Sequence, residues 1–421
     1  MKFLRSLLDL PIFTKVETNK TCQILAWMFA FVAVGTVTGF LFVPLSNVYF
    51  AISVICLMYI LTSGRKSVNG MMVALYITFG ISTLLASDSF FNPKGRYLLF
   101  LLITLVCSPC ISSPIVVAFR SLVFRNVFVL SSCLTIGSFV GYFGGINYMP
   151  YHMGRTDLVG NVTNVGIFSG LYTHSMLLGP FSAFTALLFL YSFLASRKKI
   201  YIAMFFMSAA TVVLSASRAA TLSLVVPIIF SLLFMKSIGD SKKKLIGLLV
   251  TVSIVAIPIA DKFSTGVMQK QQGNIESGGT LNSRESKWNA RIEEFCNHPV
   301  FGIGFCTVDK KRSEDYGLGG GVETGSTHLS ILSMTGLVGF IPYFVLLFAA
   351  FKSIKNEYEL DAKFRYCFFL IMITHATFEG YALYAGGFMC FLFWLSIALC
   401  FDYKYIKNMN CANLRSQEWI K

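Results

Sequence analysis

The chain has 421 residues, 55% of them hydrophobic and 15% aromatic, and only 13% are charged. That balance excludes an ordinary soluble domain and points to an all-α, polytopic membrane protein. The formal charge of +15 does not mark a nucleic-acid binder, because the Lys and Arg residues are scattered between apolar runs and form no basic domain.

The N-terminus opens with a short amphipathic stretch. No small-residue cleavage site follows its first long apolar run, so no removed signal peptide is expected. A helical crossing takes about 20 apolar residues. Such windows predict twelve spans, near 21 to 43, 47 to 63, 70 to 87, 97 to 112, 126 to 145, 170 to 195, 200 to 216, 218 to 235, 245 to 261, 328 to 351, 364 to 380 and 385 to 402. Alternate connections then hold 23 of the 35 Lys and Arg residues on one side, Arg120 and Arg125 among them, and 12 on the other. By the positive-inside rule both termini are cytoplasmic, and the other side is the outer face, in a bacterium the periplasm.

Eight of the twelve outer cations lie in one long connection, 262 to 327, and long segments cross largely regardless of charge. The chain therefore reads as a single transmembrane domain, 1 to 421, with one long periplasmic loop between spans nine and ten. A second outer loop runs from about 146 to 169, and no internal repeat stands out. The eleven Cys lie mostly inside apolar spans and give no zinc spacing. Cys107 and Cys110 form a C-x-x-C within a span, a poor place for redox chemistry. Cys296 and Cys306 share the polar loop and can pair if it faces an oxidising compartment.

The stretch "TLNSRESKWNARIEEFCNHPVFGIGF", residues 280 to 305, is a polar island in an apolar chain. Residues 284 to 296 predict an amphipathic helix lying on the membrane surface, with Trp288, Ile292 and Phe295 on one face. His298-Pro299 stops it, and "GIGF" makes a tight turn. His298 reads as a C-terminal cap. Glycines 317, 319, 320 and 321 follow, so a mobile flap is expected before span ten.

"VLSASRAATLSLVV" carries Arg218 between two apolar segments with no acid nearby. An ionisable residue inside a membrane is a functional candidate by default, weighed against simple snorkelling at a helix end. A phosphate or diphosphate headgroup suits the planar guanidinium fork. In "THATFEGYALYAGG", His375 and Glu379 stand at i and i+4, neighbours on one predicted helical face. They read as a structural pair, or Glu379 reads as a base or sugar ligand. "FSGLYTHSMLLGP" puts His174 at the outer start of span six with Arg155 in the loop before it; these complete a substrate site or merely pack.

"SASRAATLSLVV", then "NSRESKWNARIEEFCNHPVFGIGF", then "STHLSILSMTGLVGF" together resemble the O-antigen ligase and polymerase superfamily of bacterial membrane glycosyltransferases. The elements are an intramembrane Ser-Arg before small residues, an Arg four before an aromatic with H-P-x-x-G-x-G, and a His-bearing segment ending G-x-x-G. The resemblance covers about 215 to 340. It implies a GT-C-like helical enzyme that moves an oligosaccharide from an undecaprenyl-diphosphate carrier to an acceptor sugar hydroxyl in the periplasm, without metal, nucleotide sugar or other cofactor. The acceptor is a second lipid-linked glycan for a polymerase and lipid A core for a ligase, and a chain-length regulator is a candidate partner.

By the resemblance, Arg218 and Arg284 hold the diphosphate; Arg155, His174, Arg291 and His375 are, from their places in the sequence, candidates for further substrate contacts. The acceptor hydroxyl needs a base, and the candidates are His328 and Glu379. The family usually carries a His-Asn pair at the start of the tenth span, where this chain has His328-Leu329. That departure favours a polymerase, with a ligase as the alternative. A polysaccharide flippase or other transporter is the second alternative, but such a carrier places polar or broken helices at the midplane. Here the polar residues gather at the outer ends.

Overall fold

The computed structural model describes residues 7–8, 10, 12–13, 18–41, 43–86, 93–148, 168–234, 285–309 and 325–418, without the side chains of 231–234 and 408–418. Their helices are α1 (Lys20–Gly35), α2 (Ser46–Thr62), α3 (Gly70–Leu85), α4 (Pro93–Cys107), α5 (Pro114–Phe143), α6 (Ser175–Ser196), α7 (Lys199–Leu214), α8 (Arg218–Phe234), α9 (Glu285–Asn297), α10 (Thr327–Ile354), α11 (Leu360–Phe378) and α12 (Phe388–Glu418). A two-residue antiparallel ladder pairs β1 (Ser67–Val68) with β2 (Ile111–Ser112). Eleven of the twelve expected spans fall on helices, and the ninth, 245 to 261, lies outside the described residues. Among the described residues four helices, α5, α6, α10 and the first twenty residues of α12, are long and apolar enough to cross a membrane. The protein is thus an all-α membrane protein.

Burial sorts these helices. The apolar windows of α5, α6 and α12 are almost wholly enclosed by other helices, whereas that of α10 is half-buried. Leu337, Ile341, Phe344, Val345 and Phe348 form its exposed apolar stripe, as a lipid-facing side requires. The interior is dense with aromatic contacts, such as Phe124 and Phe128 against Phe364 and Phe368.

Alternate connections gather at opposite ends. At one end the β1–β2 ladder, the Lys407–Glu357 ion pair and the bond from Lys363 Nζ to Lys355 O lie together with the Arg120 cluster. At the other end residues 37–39 bond to 171–173, and Thr327 bonds to Glu379. This is the separation that the odd and even connections predict.

Arg120 and Arg125 are not in a connection, as the span boundaries suggested. Ser113 caps α5 and Pro114 occupies its first turn, so the helix starts at residue 114 and takes both arginines inside. Arg120 is fully buried. Its Nε and Nη2 grip Asp402 at 2.8 and 2.6 Å, and Nη1 donates to Ser108 O and Ile111 O at 2.8 and 2.9 Å. Charge buried this deeply is tolerated only when paired and hydrogen-bonded.

The second structural node is α10. His328 Nδ1 and Tyr343 Oη stand 2.8 Å apart although fifteen residues separate them. A straight helix would hold their Cα atoms about 22 Å apart, so the chain folds back between them. It does so at Gly336, whose φ of 60° and ψ of −165° are open only to glycine. The result is a short first limb, 327–335, turned against the second limb, 337–354. The expected straight tenth span is therefore a bent one.

The break strands backbone groups, and a loop takes them up. Ile303 N and Gly304 N donate to Ser333 O and Met334 O at 3.0 and 2.9 Å. In return Leu337 N and Val338 N donate to Pro299 O and Val300 O at 2.9 and 3.1 Å. Ser82 Oγ of α3 adds a 2.6 Å bond to Met334 O. The two backbones touch so closely that a Cβ on Gly336 would meet Val300 O, and one on Gly302 would meet the Met334 carbonyl.

Two outcomes follow for stability. Gly336→Ala meets both a forbidden backbone region and a clash, so the variant is expected to be depleted from membranes, with a thermal transition lowered by more than that of Gly70→Ala, where a Cβ meets nothing. Asp402→Ala strands the Arg120 charge and is expected to cost about 3 to 5 kcal/mol, while the paired Arg120→Met/Asp402→Leu change costs less. Melting curves of the purified variants read both.

Candidate functional site

The turn carrying Arg218 is built from small residues for a visible reason. α7 ends at Leu214, Ala216 takes a left-handed φ of 52°, and Ser217 Oγ accepts from Ala220 N at 3.2 Å to open α8. The turn presses on α6 at Gly179, where a Cβ would stand 2.7 Å from Ala220 Cβ and 2.9 Å from Ser215 Oγ. Arg218 is then the first residue of α8, and it is exposed. The chain turns there, at the boundary expected between the seventh and eighth spans.

Helix α9 falls where the periodicity put it, but it docks by another face. Ile292 is 47% exposed, and the buried residues are Ala290, Arg291 and Glu294. Arg291 Nη1 bonds to Glu294 Oε2 at 2.8 Å, Ser333 Oγ at 3.1 Å and Thr307 O at 3.2 Å. Glu294 Oε1 accepts from Asp309 N at 3.1 Å. One buried ion pair thus ties α9, the following loop and the first limb of α10. Trp288 Nε1 donates to Gly325 O at 2.9 Å, and its ring lies 6.2 Å from Phe378 at the end of α11.

Residues 298–304 are therefore a docked turn. His298 N closes α9 on Glu294 O and its carbonyl accepts from Gly302 N, the capping role expected of it. Cys296 and Cys306 are free thiols, so the pairing that their shared loop allowed is not made. Cys296 is exposed, while Cys306 is buried with its Sγ 3.7 Å from Arg96 Nη1. Burial pushes the Cys306 thiol up to about 11 despite the opposing pull of Arg96.

The first limb of α10 brings His328 to a polar cluster at the end of α11. His328 bonds through Nδ1 to Tyr343 and stands with Nε2 3.4 Å from Ile373 O. His375 Nδ1 lies 3.3 Å from Tyr381 Oη, with the rings stacked at 5.6 Å. Glu379 is buried beside them. It does not share a helical face with His375, because α11 ends at Phe378 and Glu379 is extended, with φ −137° and ψ 136°. Burial first, then the Glu379 carboxylate and Tyr343, keep the Tyr381 phenol protonated far above its ordinary range.

Helix register brings Arg218 to the level of this cluster. Cys367 Sγ of α11 touches Pro227 O of α8 at 3.8 Å. Arg218 lies nine residues back along α8 and His375 eight residues on along α11, about 13 and 12 Å towards the same end. His174 is also at that end, where its Nδ1 accepts from Met176 N at 3.1 Å and caps α6. Arg284 and Arg155 lie outside the described residues, as does the glycine run at 317 to 321. Among the described residues no three His, Cys, Asp or Glu side chains gather to hold a metal ion.

Thr327, Tyr343 and Tyr381 escape sequence reasoning. Each reaches the cluster through the bend at Gly336 or the end of α11, and neither event leaves a periodic trace.

Residues 202–344 match the family model described as O-antigen ligase. The match runs from α7 through the Arg218 turn, α9, the loop and the bend of α10 to just past Tyr343, and so takes in the motifs that carry the superfamily resemblance. It supports membership of the O-antigen ligase and polymerase superfamily and a function of that general type. No curated protein matches the chain.

The loop chemistry has a direct readout. A membrane-impermeant maleimide near neutral pH should label Cys296 readily and leave Cys306 unlabelled, since that thiol is both enclosed and protonated. Gly302→Ala should expose Cys306 to the reagent. Equal labelling of both thiols in the unchanged protein would contradict the docked loop.

Proposed function

We propose, from the premise that residues 202–344 carry the O-antigen ligase signature, that this protein is a glycosyltransferase that extends surface polysaccharide on the periplasmic face of the inner membrane. It takes an undecaprenyl-diphosphate-linked oligosaccharide as donor and a sugar hydroxyl of a second lipid-linked glycan as acceptor. On the reading of twelve crossings with both termini cytoplasmic, the cluster belongs to that face. The observation that carries the reading is that the exposed Arg218 turn stands at the level of the His375 and Glu379 cluster, at one end of the bundle.

In the reaction the acceptor oxygen bonds to the donor's anomeric carbon as the bond from that carbon to the phosphate oxygen breaks. The diphosphate leaves with the electron pair, so it needs charge stabilisation and no proton. Arg218 and Arg284 supply this as preorganised fork donors. The acceptor proton needs a base. His328 has both ring nitrogens turned to protein partners, Tyr343 and Ile373 O, which favours Glu379 as the base and leaves His328 to hold the bend. Arg291, committed to Glu294, Ser333 and Thr307, holds the loop rather than the substrate, and His174 caps its helix.

The ligase reading, which the family description does not separate from a polymerase, differs only in its acceptor, lipid A core. Against a transporter stands the bend of α10: its stranded backbone groups are taken up by the loop, whereas carrier helices break to line a substrate cavity.

Glycan electrophoresis of a deletion strain tests the reading. Loss of a ladder, leaving a single repeat on lipid A core, means a polymerase; loss of all glycan from the core, with long chains on the carrier lipid, means a ligase. An unchanged pattern overturns both. Arg218→Ala and Arg284→Ala should each leave inserted protein and lower product by about 100-fold or more. Arg218→Lys should rescue poorly, because a point charge does not replace the fork. Glu379→Gln should lose turnover by at least about 100-fold.

A further inference from the structure

We propose that Thr327 is a positioning residue that fixes where the Glu379 carboxylate stands, an inference that rests on Glu379 being the base. Thr327 opens the first limb of α10 and is 1% exposed. Its N–H donates to Glu379 O at 3.0 Å and its hydroxyl donates to the same carbonyl at 2.8 Å. The hydroxyl oxygen also accepts from Tyr381 N and Ala382 N at 3.2 and 3.4 Å. One side chain thus takes hold of the chain on both sides of Gly380.

Helix-end chemistry explains the arrangement. The last carbonyls of α11 and the first N–H groups of α10 have no partners within their own helices. Here the two ends meet, and the Thr327 hydroxyl completes what a backbone bond alone begins. Beyond it, Ala382 O is held by Trp394 Nε1 at 2.8 Å and Cys390 Sγ at 3.1 Å. Tyr381 Oη donates to Met372 O at 3.1 Å, which aims the ring back over α11 and against His375. The segment 379–382 is therefore pinned at its far end by α12 and at its near end by Thr327. Glu379 has already left the helix, so its backbone direction depends on that near pin.

The same pin couples the bend of α10 to the base. Thr327 precedes His328, whose bond to Tyr343 closes the folded limb. Docking of the loop at Gly336 sets the limb, the limb sets Thr327, and Thr327 sets Glu379. Positioning of this kind is felt in turnover, since a displacement of about 1 Å at a reacting group costs about 100-fold.

The test uses full-length protein in phosphatidylethanolamine and phosphatidylglycerol liposomes, with the lipid extract of the deletion strain titrated in as donor and acceptor. Thr327→Ser keeps the hydroxyl, Thr327→Val removes it at equal volume, and Thr327→Cys leaves a weak donor. Turnover is expected to fall in the order Thr, Ser, Cys, Val, with Ser within about threefold and Val down tenfold or more. KM should change less than twofold, and the limb of the pH–rate profile that reports the base should move in Val and return in Ser. If Val does not insert, the Ser and Cys variants carry the comparison.

Unchanged turnover and pH limb in Val, or in Cys where Val is lost, overturns the proposal. So does a fall in Val that tracks a lower melting temperature and that Ser fails to rescue, which assigns Thr327 to stability alone. Glu379→Gln separates the two layers of the argument. Full turnover in that variant removes the base assignment itself, whereas an inactive Glu379→Gln beside fully active Thr327 variants removes only the positioning role.

Discussion

A helix that breaks inside apolar surroundings strands amide and carbonyl groups that neither water nor lipid can satisfy, at several kcal/mol each. At Gly336 this cost is met by exchange of backbone bonds with residues 299–304. Most of that end of the bundle depends on the junction. It turns the first limb of α10 so that His328 reaches Tyr343 and Thr327 reaches Glu379. It also places Ser333 under Arg291, so that α9 can dock through a closed ion pair. The glycines at 302 and 336 are there because two main chains occupy the space where a Cβ would be.

Charge is divided in a way that fits this scheme. Arg120 with Asp402, Arg291 with Glu294 and Arg365 with Asp361 are buried pairs, and each joins elements or steadies a helix start. Breaking such a pair is far costlier than never having built it. Arg218 differs from them in standing exposed at the first turn of α8, where the helix N-terminus adds to its positive field. A cation held there by a turn of small residues, on the level of His375, is the residue to which the proposed function assigns the donor's diphosphate.

The helices were legible because hydropathy and length are additive along the chain: eleven of the twelve windows fall on helices, and among the described residues four of these are long and apolar enough to cross a membrane. Helix α9 was legible in position through its period, but its docked face was not. Periodicity marked Trp288, Ile292 and Phe295, whereas a buried ion pair made Arg291 and Glu294 the packed side. The i, i+4 pairing of His375 with Glu379 failed because nothing in "ATFEGY" announces that α11 ends at Phe378. The bend at Gly336 left no trace in hydropathy, since both limbs are apolar. The local motifs pointed to its two halves, H-P-x-x-G-x-G and G-x-x-G, without showing that they bond to each other.

Hydrogen exchange on the protein in nanodiscs tests that junction most directly, read on peptides covering residues 299–306 and 334–340. The amides of Ile303, Gly304, Leu337 and Val338 should be protected as strongly as those in the middle of α10, although two of the four lie in a loop. Rapid exchange at Ile303 and Gly304, with Leu337 and Val338 still slow, would mean that the loop is not joined to the helix and that the site at the outer end is held in some other way.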